Sequence, residues 1–129
     1  MRRVDWQAAT DVLAAHESVI AAWIFGSAQK GLLGPESDLD IGVLFQKTPS
    51  FEEWARLRAD LQQALQFEEI DLVTLNEANP ILRFEAVSGR PIFCRDSGHR
   101  AVFVSLTARE YEDEMGWVQH RMDHERKVV

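Results

Sequence analysis

Two apolar runs, Val-Ile-Ala-Ala-Trp-Ile-Phe at 19–25 and Asp-Leu-Asp-Ile-Gly-Val-Leu-Phe at 38–45, and the way they are joined, limit the fold of this chain more than any other feature. The first run ends in the small-residue turn Gly26-Ser27, and after ten residues, 28–37, the second opens on Asp38-Leu39-Asp40. Residues two apart on a strand point the same way, so Asp38 and Asp40 project together while Leu39 and Ile41 project to the other face. Neighbouring carboxylates repel, and one of them tends to hold its proton. A divalent cation between them removes that conflict, and hard oxygen ligands suit Mg²⁺. The Gly-Ser turn offers backbone N–H groups and a hydroxyl to a phosphate chain that the same cation would grip. The pattern predicts a metal–nucleotide site.

A third acid, Asp71, sits in Glu69-Ile70-Asp71-Leu72-Val73, another apolar segment. Aspartate is depleted in strands, and an unpaired buried carboxylate needs a partner. The plainer reading makes Asp38 a turn residue and leaves Asp40 and Asp71 facing solvent. The Gly-Ser spacing favours the metal reading, with Asp71 the weakest member because Val73 and Leu75 share its face. Ser37, beside Asp38, either holds phosphate or caps the strand entrance. Lys30, in the loop 29–35, is a candidate for the triphosphate against the alternative of a solvated loop lysine.

On Gly26, Ser27, Asp38, Asp40 and Asp71, the chain resembles the DNA polymerase beta superfamily of nucleotidyltransferases. Within it, the chain is most similar to the minimal nucleotidyltransferases, the antitoxin partners of HEPN-domain toxins. The specific match runs over 25–43 with Asp71 added, and the element order extends it loosely along nearly the whole chain. The resemblance implies that Asp38 and Asp40 bind two Mg²⁺ ions and that Asp71 binds the catalytic one or serves as general base. The ions would act as a pair ~3.5–4 Å apart, with ATP as substrate and Gly26, Ser27, Ser37 and Lys30 toward its phosphates. It further implies an antitoxin that transfers AMP to a tyrosine of a cognate HEPN ribonuclease toxin, in a hetero-oligomer with it. Two alternatives stand beside this: a nucleotidyltransferase of small hydroxylated molecules, and a non-catalytic antitoxin acting by complex formation.

Composition sets bounds on these readings. A length of 129 residues predicts one domain, 1–129, with a helical C-terminal segment at about 97–126. A net charge of −7 opposes direct nucleic-acid binding, which needs a basic stripe. It does not oppose nucleotides, since a bound cation supplies local positive charge. One cysteine, Cys94, excludes an internal disulfide, and no apolar run approaches the ~20 residues of a membrane span. Nothing beyond Arg2-Arg3 resembles a signal peptide. A cytoplasmic protein without membrane contact is expected. A Walker-type phosphate loop and an EF-hand are both excluded by their missing residues.

Periodicity predicts a helix over 5–17 and a second one, opened by a Ser50/Glu53 capping box, that carries Trp54, Leu57, Leu61, Ala64 and Leu65. A strand over 67–75 carries Asp71. A short helix follows, capped by Asn79 with Pro80 at its first position and ended by Gly89. Strand 91–94 begins with Pro91, which suits an edge. The β-branched stretch 101–104 favours strand by composition, whereas the resemblance implies one long helix from about Ser97, which we adopt. The fold class is α/β: a polymerase-beta-like mixed sheet with helices packed on one face, a long C-terminal helix, and the carboxylate face left open.

Other residues carry weaker signals. His120 and His124 have metal-ligand spacing but no companion ligands, and Cys94 has no activating histidine. Arg83 is better explained as a surface or salt-bridged arginine than as a phosphate ligand. The stripe Tyr111, Met115, Val118, Met122 predicts packing onto the sheet, with Trp117 off the stripe as a candidate partner anchor.

Overall fold

The computed structural model describes residues 2–33 and 38–127; for 2, 29, 30, 32, 33, 118–120 and 122–127 it describes the backbone alone. In chain order the elements are β1 (Arg2–Arg3), α1 (Trp6–Ala15), β2 (Val19–Phe25), a 3₁₀ turn (Gly26–Lys30), β3 (Leu32–Leu33), β4 (Leu39–Phe45), α2 (Phe51–Leu65), β5 (Ile70–Thr74), α3 (Pro80–Val87), β6 (Arg90–Cys94) and α4 (Ser97–Lys127). Four strands form the main sheet in the order β5-β4-β2-β6, and β1 pairs with β3 in a two-stranded ladder. That ladder is too short to leave a periodic trace in the sequence. Helix starts follow their caps: Asp5, Ser50 and Asn79 each accept a backbone N–H three residues on.

β2 lies antiparallel to both β4 and β6, whereas β4 and β5 run parallel with α2 as their crossover. A mixed sheet is what the sequence led one to expect. β5 begins at Ile70 rather than at 67, because α2 ends in a left-handed Gln66 (φ 50) and the next residues complete the reversal. α2 also covers the outer edge of β5, where Arg58 Nε donates to the Ile70 carbonyl at 3.0 Å and Trp54 Nε1 to that of Leu72 at 3.0 Å. These bonds occupy acceptors that an edge strand would otherwise present to another chain, and they fix the backbone on either side of Asp71.

Alternation sorts the strands between two cores. Leu39, Ile41, Val43 and Phe45 face α1 and α2 together with Ile24, Leu57, Leu61, Ile70 and Leu72. Full burial of a side chain of this size contributes about 1.5–3 kcal/mol, and this layer holds most of the core. The opposite face carries a second cluster of Ile20, Trp23, Phe25, Leu44, Leu75 and Ala86, packed by Leu82 of α3 and Phe103 and Val104 of α4. Helices therefore cover both faces, which corrects the expectation of a single covered face. α3 lies close because Gly42 and Gly89 carry no side chain: a Cβ on Gly42 would press on Ala86 and Leu75, and one on Gly89 would strike the Ile24 carbonyl.

α4 is helical throughout, including the β-branched stretch. Phe103, Val104, Thr107 and Tyr111 fall on one face toward α3 and the sheet, while Val102 and Leu106 are exposed. Helical periodicity and tertiary packing outweigh the local β preference of valine there. Met115, the next member of the stripe after Tyr111, is 42% exposed, and Trp117, off the stripe, 60%. That corrects the expectation for Met115; the side chains of Val118, Met122, His120 and His124 lie outside those described. No helix among the described residues is long and apolar enough to cross a membrane.

Candidate active site

Strand register sets Asp40 beside Asp71 on the second face, with Asp38 just before β4. Parallel pairing aligns Leu39 with Ile70, and hence Asp40 with Asp71, while antiparallel pairing aligns Asp40 with Phe25 on its other side. Asp38 precedes the strand, close enough for its charge to act on Asp40, and lines a pocket at the β5 edge with Trp54, Arg58, Glu69 and Asp71. The entry to β4 is fixed by the Leu39 N–H, which donates to the Glu69 carbonyl at 2.8 Å. Asp38 and Asp71 are exposed, and Asp40 is half-buried between them and the turn.

The turn is built around Asp40. Gly26 adopts φ 71, a left-handed conformation that favours glycine. A Cβ on Gly26 would collide with Asp40 Oδ2, so glycine is required for the carboxylate to lie against the backbone. Ser27 follows with an exposed side chain, and Ala28 is buried beneath it. Gly31 closes the 3₁₀ turn at φ 85, its N–H bonded to the Ala28 carbonyl and its own carbonyl accepting from Val4 N–H, each at 2.9 Å.

The electrostatics follow from that crowding. Burial, then the charges of Asp71, Asp38 and Glu85, push the Asp40 carboxyl above its ordinary value. A carboxylate driven toward protonation by its neighbours is a donor that a hard divalent cation would relieve. The residue types therefore fit Mg²⁺. Among the described residues, however, no three Asp, Glu, His or Cys side chains are drawn together into a ready cage.

Of the residues singled out in the sequence, Gly26, Ser27, Asp38, Asp40 and Asp71 gather at one end of the sheet. Ser37 and the Lys30 side chain lie outside those described. Arg83 turns away from the acids: Nε donates to the Leu75 carbonyl at 2.8 Å, Nη2 to that of Asn76 at 2.7 Å, and Nη1 pairs with Glu110 at 3.6 Å. The ion-pair explanation holds. Cys94 is half-buried on the edge strand β6, far along the register from Asp40.

Two features had escaped the sequence. Glu85, on α3, adds a fourth negative charge near Asp40. Beside Gly26 opens a cleft of about 450 Å³ lined by Phe25, Ile81, Phe84, Glu85, Ser88, Gly89 and Tyr111. Phe84 and Tyr111 stack face to face across α3 and α4, with centroids 3.9 Å apart and planes at 9°. No spacing rule could have found this wall, because it joins one strand end with two helices that are distant in sequence.

Comparison with known proteins agrees with the geometry. No curated protein matches this chain in sequence. Among solved structures, a toxin–antitoxin crystallised with AMP-PNP is 23% identical, with a TM-score of 0.77 over 94% of this chain and 98% of the other. An MntA-HpeT toxin–antitoxin mutant with two aspartates, two positions apart, replaced by glutamate is 21% identical, also at 0.77 over 94% and 98%. A complex of the tri-AMPylated Shewanella oneidensis HEPN toxin with its MNT antitoxin is 22% identical, at 0.68 over 92% and 97%. At such identities these likenesses establish the fold. The sequence profile described as "Polymerase beta, Nucleotidyltransferase" matches residues 7–98, a span holding Gly26, Ser27 and all three acids, and the chain belongs to the polymerase beta nucleotidyltransferase family.

Proposed function

We propose that this nucleotidyltransferase is the antitoxin of a MNT–HEPN pair and neutralises its toxin by transferring AMP from ATP to a tyrosine hydroxyl. The observation that carries the reading is the pairing of Asp40 with Asp71, Asp38 close by, against a turn whose glycine admits the Asp40 carboxylate. Support comes from proteins of the same fold: one was crystallised with an ATP analogue, and another accompanies an AMPylated HEPN toxin. The paired aspartates replaced in the MntA mutant have the spacing of Asp38 and Asp40. Residues 1–129 would act as one minimal domain in the cytoplasm, α4 included, with the toxin as protein partner and no nucleic acid or membrane engaged.

Each residue has a share in this chemistry. Asp38, Asp40 and Asp71 would hold magnesium, which when bound neutralises the triphosphate and polarises the α-phosphate. Gly26 lets phosphate approach the backbone, and the exposed Ser27 hydroxyl donates to a phosphate oxygen. Asp71, exposed at the sheet end, accepts the proton of the incoming tyrosine hydroxyl. Ser37 and Lys30 bracket the connecting loop and complete the phosphate contacts.

The test is transfer of label from α-labelled ATP, with Mg²⁺, to a co-encoded HEPN-domain protein as acceptor. Label should reach that partner with the intact acids and vanish with Asp38→Ala/Asp40→Ala. Neutralisation by the double variant without any transfer would instead establish an antitoxin that acts by binding alone.

A further inference from the structure

Tyr111 is the only tyrosine of the chain, and it lies in the wall of the cleft that opens at Gly26. We propose that it is a self-modification site: in the absence of a partner, the protein transfers AMP to its own Tyr111 hydroxyl. This inference rests on the AMP-transfer reading above.

Four observations converge on it. First, the cleft places Tyr111 on the same cavity as Gly26, whose backbone abuts the Asp40 carboxylate. A phenol is thus held on a cavity that reaches the turn against which Asp40 lies. Second, the ring is fixed. It is half-buried and stacked on Phe84 at 3.9 Å, so little rotational freedom remains to be lost before reaction. Third, α4 is anchored at this point, because the preceding residue, Glu110, pairs with Arg83, itself bonded to the carbonyls of Leu75 and Asn76. Fourth, no hydrogen bond of the Tyr111 hydroxyl is formed with any other described residue, and Glu85, a carboxylate able to take a proton, lines the same cleft.

The step balances without a further reactant. Tyr111 Oη forms a bond to the α-phosphorus of ATP. The bond from that phosphorus to the bridging oxygen of the β-phosphate breaks, and its electron pair leaves with pyrophosphate. The phenolic proton passes to Glu85 and then to water. The product is a tyrosyl-AMP ester that fills the cleft from within.

The experiment uses the purified full chain, without partner, incubated with Mg²⁺ and ATP and analysed by intact mass and peptide mapping. A gain of one AMP on the peptide carrying Tyr111 is expected, at a rate independent of protein concentration. The gain should be lost completely in Asp38→Ala/Asp40→Ala and in Tyr111→Phe, which keeps the aromatic stack. Circular dichroism and melting of both variants confirm that the fold is intact, and the wild-type map is decisive without either of them. If the chain labels its HEPN partner yet leaves Tyr111 unmodified when alone, the inference is overturned and the AMP-transfer reading stands. If no AMP reaches either protein, both fail. Label on another residue, or a rate that rises with concentration, overturns modification within one chain.

Discussion

Gly26 and Asp40 share one volume: the space that a Cβ on the glycine would need is held by the aspartate Oδ2. The turn and the acid are therefore a single construction. Gly26 also sits at φ 71, where a non-glycine residue carries an added backbone cost of roughly 1–2 kcal/mol. Gly26→Ala should lose at least about tenfold in AMP transfer, corresponding to about 1.4 kcal/mol. The carboxylate must swing away from its place in this variant. Steady-state label transfer measures the loss, and a variant of wild-type activity would sink the assignment of the turn.

Asp40 sets a pH dependence of stability with a definite sign. Burial and the charges of Asp71, Asp38 and Glu85 raise its folded-state proton affinity. Between the unfolded value, about 3.9, and the higher folded one, the folded state binds more protons, so stability falls as pH rises through that window. The penalty is absent below the window and full above it. Asp40→Asn should accordingly melt higher than wild type at neutral pH without added metal, and the difference should close as the pH drops below the window. Thermal unfolding across that range checks both halves of the statement.

Mg²⁺ with a non-hydrolysable ATP analogue should reverse that order. A ligand at about a hundred times its Kd stabilises the folded state by about 2.7 kcal/mol. Wild type should gain this and Asp40→Asn should not, because the variant lacks a carboxylate that would hold the ion. Equal shifts in both proteins would remove Asp40 from the metal site.

Arg83 joins the end of β5 to α3 and α4 through two backbone carbonyls and Glu110. Arg83→Ala should cost about 1–3 kcal/mol in denaturant unfolding, since partly buried acceptors lose their donor. Arg83→Lys should recover little of this, because a single ammonium lacks the planar fork that reaches both carbonyls. Full recovery by lysine would show that charge alone is at work.

Trp117 stands 60% exposed on α4, with the Arg121 guanidinium 5.9 Å from its ring centroid. Trp117→Ala should leave unfolding free energy within about 0.5 kcal/mol of wild type. It should weaken association with the HEPN partner tenfold or more, about 1.4 kcal/mol. Unaltered affinity in a calorimetric titration would exclude Trp117 as an anchor.

Much of this molecule was legible from residue order. Alternation in 39–45 separated Asp40 from Leu39 and Ile41, and the caps Ser50 and Asn79 marked two helix starts. Spacing brought Gly26, Ser27, Asp38 and Asp40 together, because those contacts lie within one hairpin-like connection. Legibility ended where contacts depend on docking. Glu85 and Tyr111 reach the cleft only once α3 and α4 settle on the second face, and that approach depends on Gly42 and Gly89 lacking side chains. The strand-like composition of 101–104 misleads for a related reason, since the burial of Phe103 and Val104 decides the matter.

The parallel pairing of β4 with β5 has a consequence for assembly. Asp40 and Asp71 become neighbours only after α2 has carried the chain back to the end of the sheet where β4 began. A nascent or truncated chain lacking β5 would own the Gly-Ser bend and the first two acids yet miss the third. On the proposed assignment of the three acids, closure of this crossover is the step that completes the set.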